Sequence, residues 1–217
     1  MGRAKRKPRV SELDAAIDKY YRLMQEVKGR LIYARAIYDK ICMDTIFTKM
    51  DVEACCLQIR KILELLAMGS LVVNERLFRE TSRNINSMHK AKYILNEIQE
   101  LNPRFFPRPI SPELDESDTI VDITENVLTK KLFEKIFDKC GAMLHSPNPF
   151  GKTIDYKFYC NQIPLWLDLI LNTIATHMVL FPGHEDGFII HMNNPQKQIS
   201  WTVIKSEEGY NREQADQ

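Results

Sequence analysis

Leu13, Ile17, Tyr20, Met24, Val27, Leu31, Ala34, Ile37 and Ile41 recur at steps of three and four. That period predicts a single amphipathic helix of about thirty residues, with one apolar stripe that needs a partner surface. Ser11, with Asp14 three positions on, supplies a capping signal at its start, and Gly29 interrupts it only weakly. Across 52–74 the pattern changes: Val52, Cys55, Leu57, Ile59, Ile62, Leu63, Leu66 and Leu71 cover most of the circumference. A helix apolar all round belongs at the centre of a bundle, here capped by Asp51. A third helix is expected over 87–101, with Met88, Ala91, Ile94, Leu95, Ile98 and Leu101 on one face.

The periodicity then stops. Pro103, Pro107, Pro109 and Pro112 are followed by Glu113, Asp115, Glu116 and Asp118, which predicts a rigid connection over 102–123 crossing the bundle. Thr129 caps a fourth helix carrying Leu132, Phe133, Ile136, Phe137, Cys140 and Leu144, and the Ser146-Pro147-Asn148-Pro149-Phe150-Gly151 run ends it. Pro164 suits the first turn of a fifth helix reaching about residue 180, where Pro182 and Gly183 stop it. Residues 187–192 and 199–205 read as two strands around Asn193-Asn194-Pro195-Gln196. A lone hairpin is marginal in water, so this one must pack on the helices or pair with another chain. The expected fold is mainly α: an up-and-down bundle of about five helices over 10–181 with a small C-terminal β-hairpin over 182–205. A basic arm (1–9) precedes it and a polar tail (206–217) follows.

Composition supports helices. Only 8 of 217 residues are glycine, against roughly 15 at average usage, which disfavours a turn-rich all-β fold. The net charge of +1 hides a division: Arg3, Lys5, Arg6, Lys7 and Arg9 place +5 in the arm, and the remaining 25 basic and 29 acidic residues sum to −4. A broad nucleic-acid face on the bundle is therefore not expected, whereas the arm suits phosphate contacts that salt would weaken, or simply solubilises the chain. No apolar stretch follows the basic start, so no signal peptide is read. The five cysteines (Cys42, Cys55, Cys56, Cys140, Cys160) form no CxxC pair, as expected of reduced thiols in the cytoplasm. The apolar run 163–181 contains Asp168, Asn172 and His177. A charge costs about 3 kcal/mol at the bilayer centre, so the run reads as a buried core helix and not as a membrane span.

Two places carry candidate chemistry. Arg60 and Glu64 stand one turn apart on the most apolar helix. A guanidinium held by a carboxylate can bind a phosphate; the same spacing equally describes an ordinary ion pair or a packing bridge. His145 ends the fourth helix, where the dipole favours a cation and a histidine suits general-acid work. It serves equally as a C-cap. Lys135, Lys139 and Asn148 are near enough in sequence to line the same site. His177, His184 and His191, spaced by seven across Pro182 and Gly183, do not form a metal-ligand pattern, and no metal or other cofactor is assigned. Cys140 has no base beside it that would make it a nucleophile.

The run Gln58-Ile59-Arg60-Lys61-Ile62-Leu63-Glu64-Leu65-Leu66-Ala67, the segment Asn102-Pro103-Arg104-Phe105-Phe106-Pro107 and the run Lys139-Cys140-Gly141-Ala142-Met143-Leu144-His145 resemble a bacterial helical family and, more broadly, HEPN domains. These are the helical bundles of prokaryotic defence and toxin systems. The resemblance, over about residues 50–150, implies a dimerising bundle and, in catalytic members, metal-independent RNA cleavage by an arginine and a histidine in one shared groove. His145 matches that histidine. Lys139 stands where the arginine belongs, Cys140 replaces the polar residue after it, and Arg60, oriented by Glu64, is the candidate for the guanidinium. The expectation is a cytoplasmic HEPN-like protein of a defence or toxin system acting on RNA as a homodimer, with Arg60, Glu64, Lys139 and His145 catalytic and Lys135 and Asn148 contacting substrate. The alternative is a non-enzymatic regulatory protein that binds a protein partner through the first helix or the C-terminal hairpin.

Overall fold

The computed structural model describes residues 10–41, 46–81, 91–113, 119–146, 150–151, 153–183 and 186–204. The basic arm, the polar tail, most of the acidic patch, Cys42, Asn148 and His184 lie outside the described residues. Within them six helices and one small sheet occur.

Helix α1 spans Val10–Tyr38 and is already formed at Ser11, so Ser11 is not its N-cap. Its stripe is buried as the pattern requires: Ile17, Tyr20, Met24, Val27 and Ala34 are all at or below 4% exposure. Helix α2, Ile46–Val73, begins earlier than expected and places Asp51 inside the helix. No glycine or proline between Ile41 and Asp51 stops it. It is central, packing against α1, α4, α5 and α6. A short helix α3, Glu75–Glu80, follows at once, too brief and too polar to carry a readable period. Helix α4 spans Ala91–Leu101 and buries Ala91, Ile94, Leu95 and Ile98; the part of the third helix expected over 87–90 lies outside the described residues.

Asn74, at the corner between α2 and α3, is fully buried and satisfied. Its amide donates to the Ser70 carbonyl at 2.7 Å, and its Oδ1 accepts from Asn102 at 3.0 Å. Asn102 in turn accepts the Arg104 amide at 3.1 Å. Buried polar groups joined in this way fix the path out of α4.

Helix α5, Lys130–Met143, starts as expected: Thr129 caps it by accepting the Leu132 amide at 3.3 Å. Helix α6 departs from expectation at both ends. It spans Tyr156–Ile174, with Asp155 accepting the Phe158 amide at 2.9 Å. Pro164 therefore sits in the helix interior, not in the first turn. After Ala175 the chain becomes strand β2, Thr176–Leu180, where a helix had been expected to continue.

The hairpin is consequently part of a four-stranded antiparallel sheet in the order β1-β2-β3-β4. Strand β1, Arg108–Pro109, comes from the proline-rich connection and pairs with Met178 and His177 of β2. Pro109 is tolerated there because β1 is an edge. β3 spans Gly187–His191 and β4 Ser200–Ile204. β2 is buried on both faces: Val179 joins the main core, while Met178 and Leu180 pack with Ile110 under Ile120 and Ile204. A strand covered on both faces shows no alternation, so the run reads as a helix segment.

The sheet docks on α1. Phe188, fully buried, meets Tyr20 edge-on at 5.3 Å between ring centroids. Lys28 reaches across to the β3–β4 turn and donates to the carbonyls of Met192, Asn194 and Lys197 at 2.6, 2.7 and 2.6 Å. One ammonium, with its three donors, thus ties three carbonyls of the turn to α1.

Candidate functional site

Arg60 and Glu64 project from adjacent turns of α2, with Nε 3.4 Å from Oε1; Lys61 also reaches Glu64, at 2.9 Å. The two side chains are 31% and 25% exposed, so the pair lies at the rim of the core and is reachable from solvent. The Arg60 guanidinium lies flat against α5: its Cζ is 3.9 Å from the centroid of the Phe137 ring, and Nη1 donates to the Phe137 carbonyl at 3.4 Å. The absence of a side chain at position 141 makes this possible, since a Cβ on Gly141 would stand 2.5 Å from Nη1. Among the described residues, the guanidinium thus donates to the Phe137 carbonyl and forms an ion pair with Glu64.

His145 follows Gly141 by four residues, on the turn that closes α5. Its backbone amide bonds the Ala142 carbonyl at 3.4 Å, and its side chain is exposed. Arg60 packs against Phe137 and Gly141 near the C-terminal end of α5, and His145 lies just past that end. Cation and imidazole are held by different elements, and each is open to solvent on at least one side.

Lys139 is directed elsewhere. Its ammonium lies 5.4 Å from the Phe158 ring of α6, and its carbonyl accepts the Tyr159 hydroxyl at 3.0 Å. On a helix, position 139 is rotated by roughly 200° from both 137 and 141, which puts Lys139 on the α6 flank and Arg60 on the α2 flank. Lys135, one turn earlier, shares the Lys139 flank and is exposed. The residues read together from the sequence therefore divide into an Arg60–Glu64–His145 group and a Lys135–Lys139 flank.

A second polar cluster escaped the sequence reading, in which His177 figured as one of three spaced histidines and as a polar residue within the apolar run 163–181. His177 is fully buried at the start of β2. Its Nδ1 bonds the Ile174 carbonyl at 2.9 Å and its Nε2 bonds the Tyr20 hydroxyl at 2.9 Å. A carbonyl only accepts, so Nδ1 carries the proton and Nε2 receives the Tyr20 O–H. Burial pushes the imidazole down to about 4 and raises the Tyr20 phenol far above its ordinary range. Both groups are neutral, satisfied and sealed from solvent. Tyr20 is 157 positions away from His177, so no local sequence signal joins them.

Cys55, Cys56, Cys140 and Cys160 lie in the core. Cys56 is held well above the usual thiol range by its hydrogen bond with Cys140 and by burial, and Cys55 is pushed up to about 12 mainly by burial. Thiols so placed have little thiolate and act as small apolar groups. Among the described residues no group of three histidine, cysteine or acidic side chains is arranged to hold a metal ion, and no helix is long and apolar enough to cross a membrane. Compared with protein-family models, curated proteins and solved structures, the chain finds no match.

Proposed function

We propose that this chain is a HEPN-like helical module that acts on RNA as a homodimer, with Arg60 neutralising a phosphate, Glu64 orienting Arg60, and His145 taking a proton from the attacking 2′-oxygen or giving one to the leaving 5′-oxygen. The observation that carries this reading is the seating of the Arg60 guanidinium against Gly141, in the last turn of the helix that His145 follows. A guanidinium with donors to spare, near the helix end that an exposed imidazole follows, suits cleavage of a phosphodiester that supplies its own 2′-hydroxyl nucleophile, and no metal is required of the residues named. The Lys135–Lys139 flank and the basic arm would hold the flanking phosphates, an interaction that weakens with salt.

The test is incubation of the purified protein with total RNA in the presence of a chelator, comparing the wild type with His145→Ala and Arg60→Gln. The reading expects fragmentation by the wild type and intact RNA with either variant. Equal RNA integrity in all three samples would sink it.

A second reading, a non-enzymatic partner-binding module, is favoured by β4. Ser200, Trp201, Thr202 and Val203 are all exposed on this outer strand, with Trp201 and Val203 at 47% and 41%. An uncovered edge can accept a strand from another chain. Size measurement by light scattering, for the wild type and Val203→Lys, addresses it: a dimer lost on substitution supports pairing through β4.

A further inference from the structure

A concavity lies away from α5, where α1, the α2–α3 corner and the end of β2 meet. It encloses about 350 Å³, within the size range of small-molecule sites. Ala16, Val72, Val73, Leu77 and Phe181 give it an apolar floor; Val73 and Phe181 are each 6% exposed. Its charged lining is Lys19, Arg76, Arg79 and Glu75, three cations against one carboxylate. Glu80, just outside, pairs with Arg76 at 3.2 Å.

Glu75 organises this rim. Its Oε2 accepts from Lys19 at 2.8 Å, and its Oε1 accepts from Arg79 at 2.8 and 3.0 Å. Those two cations hold the carboxyl below its usual range, so it stays ionised. One carboxylate shared by two cations leaves an unbalanced positive charge at the mouth of an apolar cavity. Arg76 pairs with Glu80, and among the described residues the rim holds three cations and two carboxylates, a sum of +1. Lys19 and Arg79 are 54% and 61% exposed, free to swing toward a ligand without disturbing the core.

We propose that this cavity binds a small amphipathic carboxylate, with its apolar body on the Val72–Phe181 floor and its anionic head bridging Lys19 and Arg79. The size excludes a long peptide segment, the floor requires an apolar body, and the sign of the rim requires an anion. The proposal is independent of the RNA reading, because it shares no residue with the Arg60–His145 group.

Calorimetric titration of the full chain with octanoate, acetate, octanol and octylammonium tests it. Octanoate should bind at least tenfold more tightly than each of the other three. Lys19→Gln and Arg79→Gln, exposed substitutions that leave the thermal midpoint in place, should each weaken octanoate several-fold. Ala16→Phe, which fills the cavity, should abolish binding. Glu75→Gln removes the competing carboxylate and should tighten binding several-fold, the opposite of what loss of a merely structural ion pair would do. The proposal is overturned by absent octanoate binding, by equal binding of all four probes, or by weaker binding to Glu75→Gln.

Discussion

Two polar clusters in this molecule look alike on paper and differ in kind. Tyr20 with His177, and Arg60 with Glu64, each join hydrogen-bonding side chains inside a helical protein, and each involves a residue on a central apolar stripe or run. The first is sealed. Every polar atom in it has a partner, both groups are uncharged, and neither has surface from which to meet a ligand. The second is open: the guanidinium is held by a ring face, a carbonyl and a carboxylate, yet remains partly exposed, near the end of α5 that a solvent-facing histidine follows. A buried polar pair without spare donors stabilises and specifies a fold; a half-exposed one with spare donors can bind.

That contrast can be broken by measurement. The largest effect is expected from Tyr20→Ala, which empties the space between Gly69, His177 and Phe188. Large-to-small aromatic changes in cores cost about 3–5 kcal/mol, read here as a lower urea midpoint.

Next comes pH. His177 has a folded value of about 4 against 6.5 when unfolded, so the native state refuses a proton that the unfolded chain accepts. Its contribution is fully present above pH 6.5 and is lost as pH falls toward 4, by up to about 3 kcal/mol. Urea midpoints between pH 7 and 4 should show that slope, and His177→Gln should flatten it. An unchanged slope in the variant would mean that other groups carry the dependence.

Tyr20→Phe should cost about 1–3 kcal/mol, because it leaves His177 Nε2 buried without a donor. The smallest effects belong to the open site. Glu64→Gln should change stability by less than about 1 kcal/mol, as for partly exposed ion pairs, and His145→Ala by no more than about 0.5 kcal/mol. If His145→Ala instead lowers the urea midpoint as much as Tyr20→Phe, the distinction between sealed and open clusters fails.

The helices were legible in the sequence because they bury one stripe or a whole circumference, and such burial leaves a period of three to four in the chain. The α1 stripe and the Thr129 cap can be read position by position. The strand at 176–180 could not be, since it is covered by α1 and α6 on one face and by Ile110 and Ile120 on the other, and its apolar run continues that of α6. β1 is two residues long, one of them proline, and only its pairing with β2 reveals it. At the candidate site the residue types were visible but their grouping was not. Lys139 and Arg60 are parted by the turn of α5, and the role of Gly141 depends on which side chain approaches it from α2.

The reach of Lys28 has a consequence for how the chain is made. Its three carbonyl partners lie 164 to 169 positions downstream, and the Tyr20 hydroxyl finds His177 at 157. During synthesis at roughly 5–20 residues per second, α1 emerges on the order of ten seconds before the sheet that covers it. Through most of that interval its apolar stripe leans on α2, until α6 follows late in the chain. Shielding by a chaperone, or a pause that keeps the N-terminal half near the ribosome, would matter more for this protein than its modest size suggests.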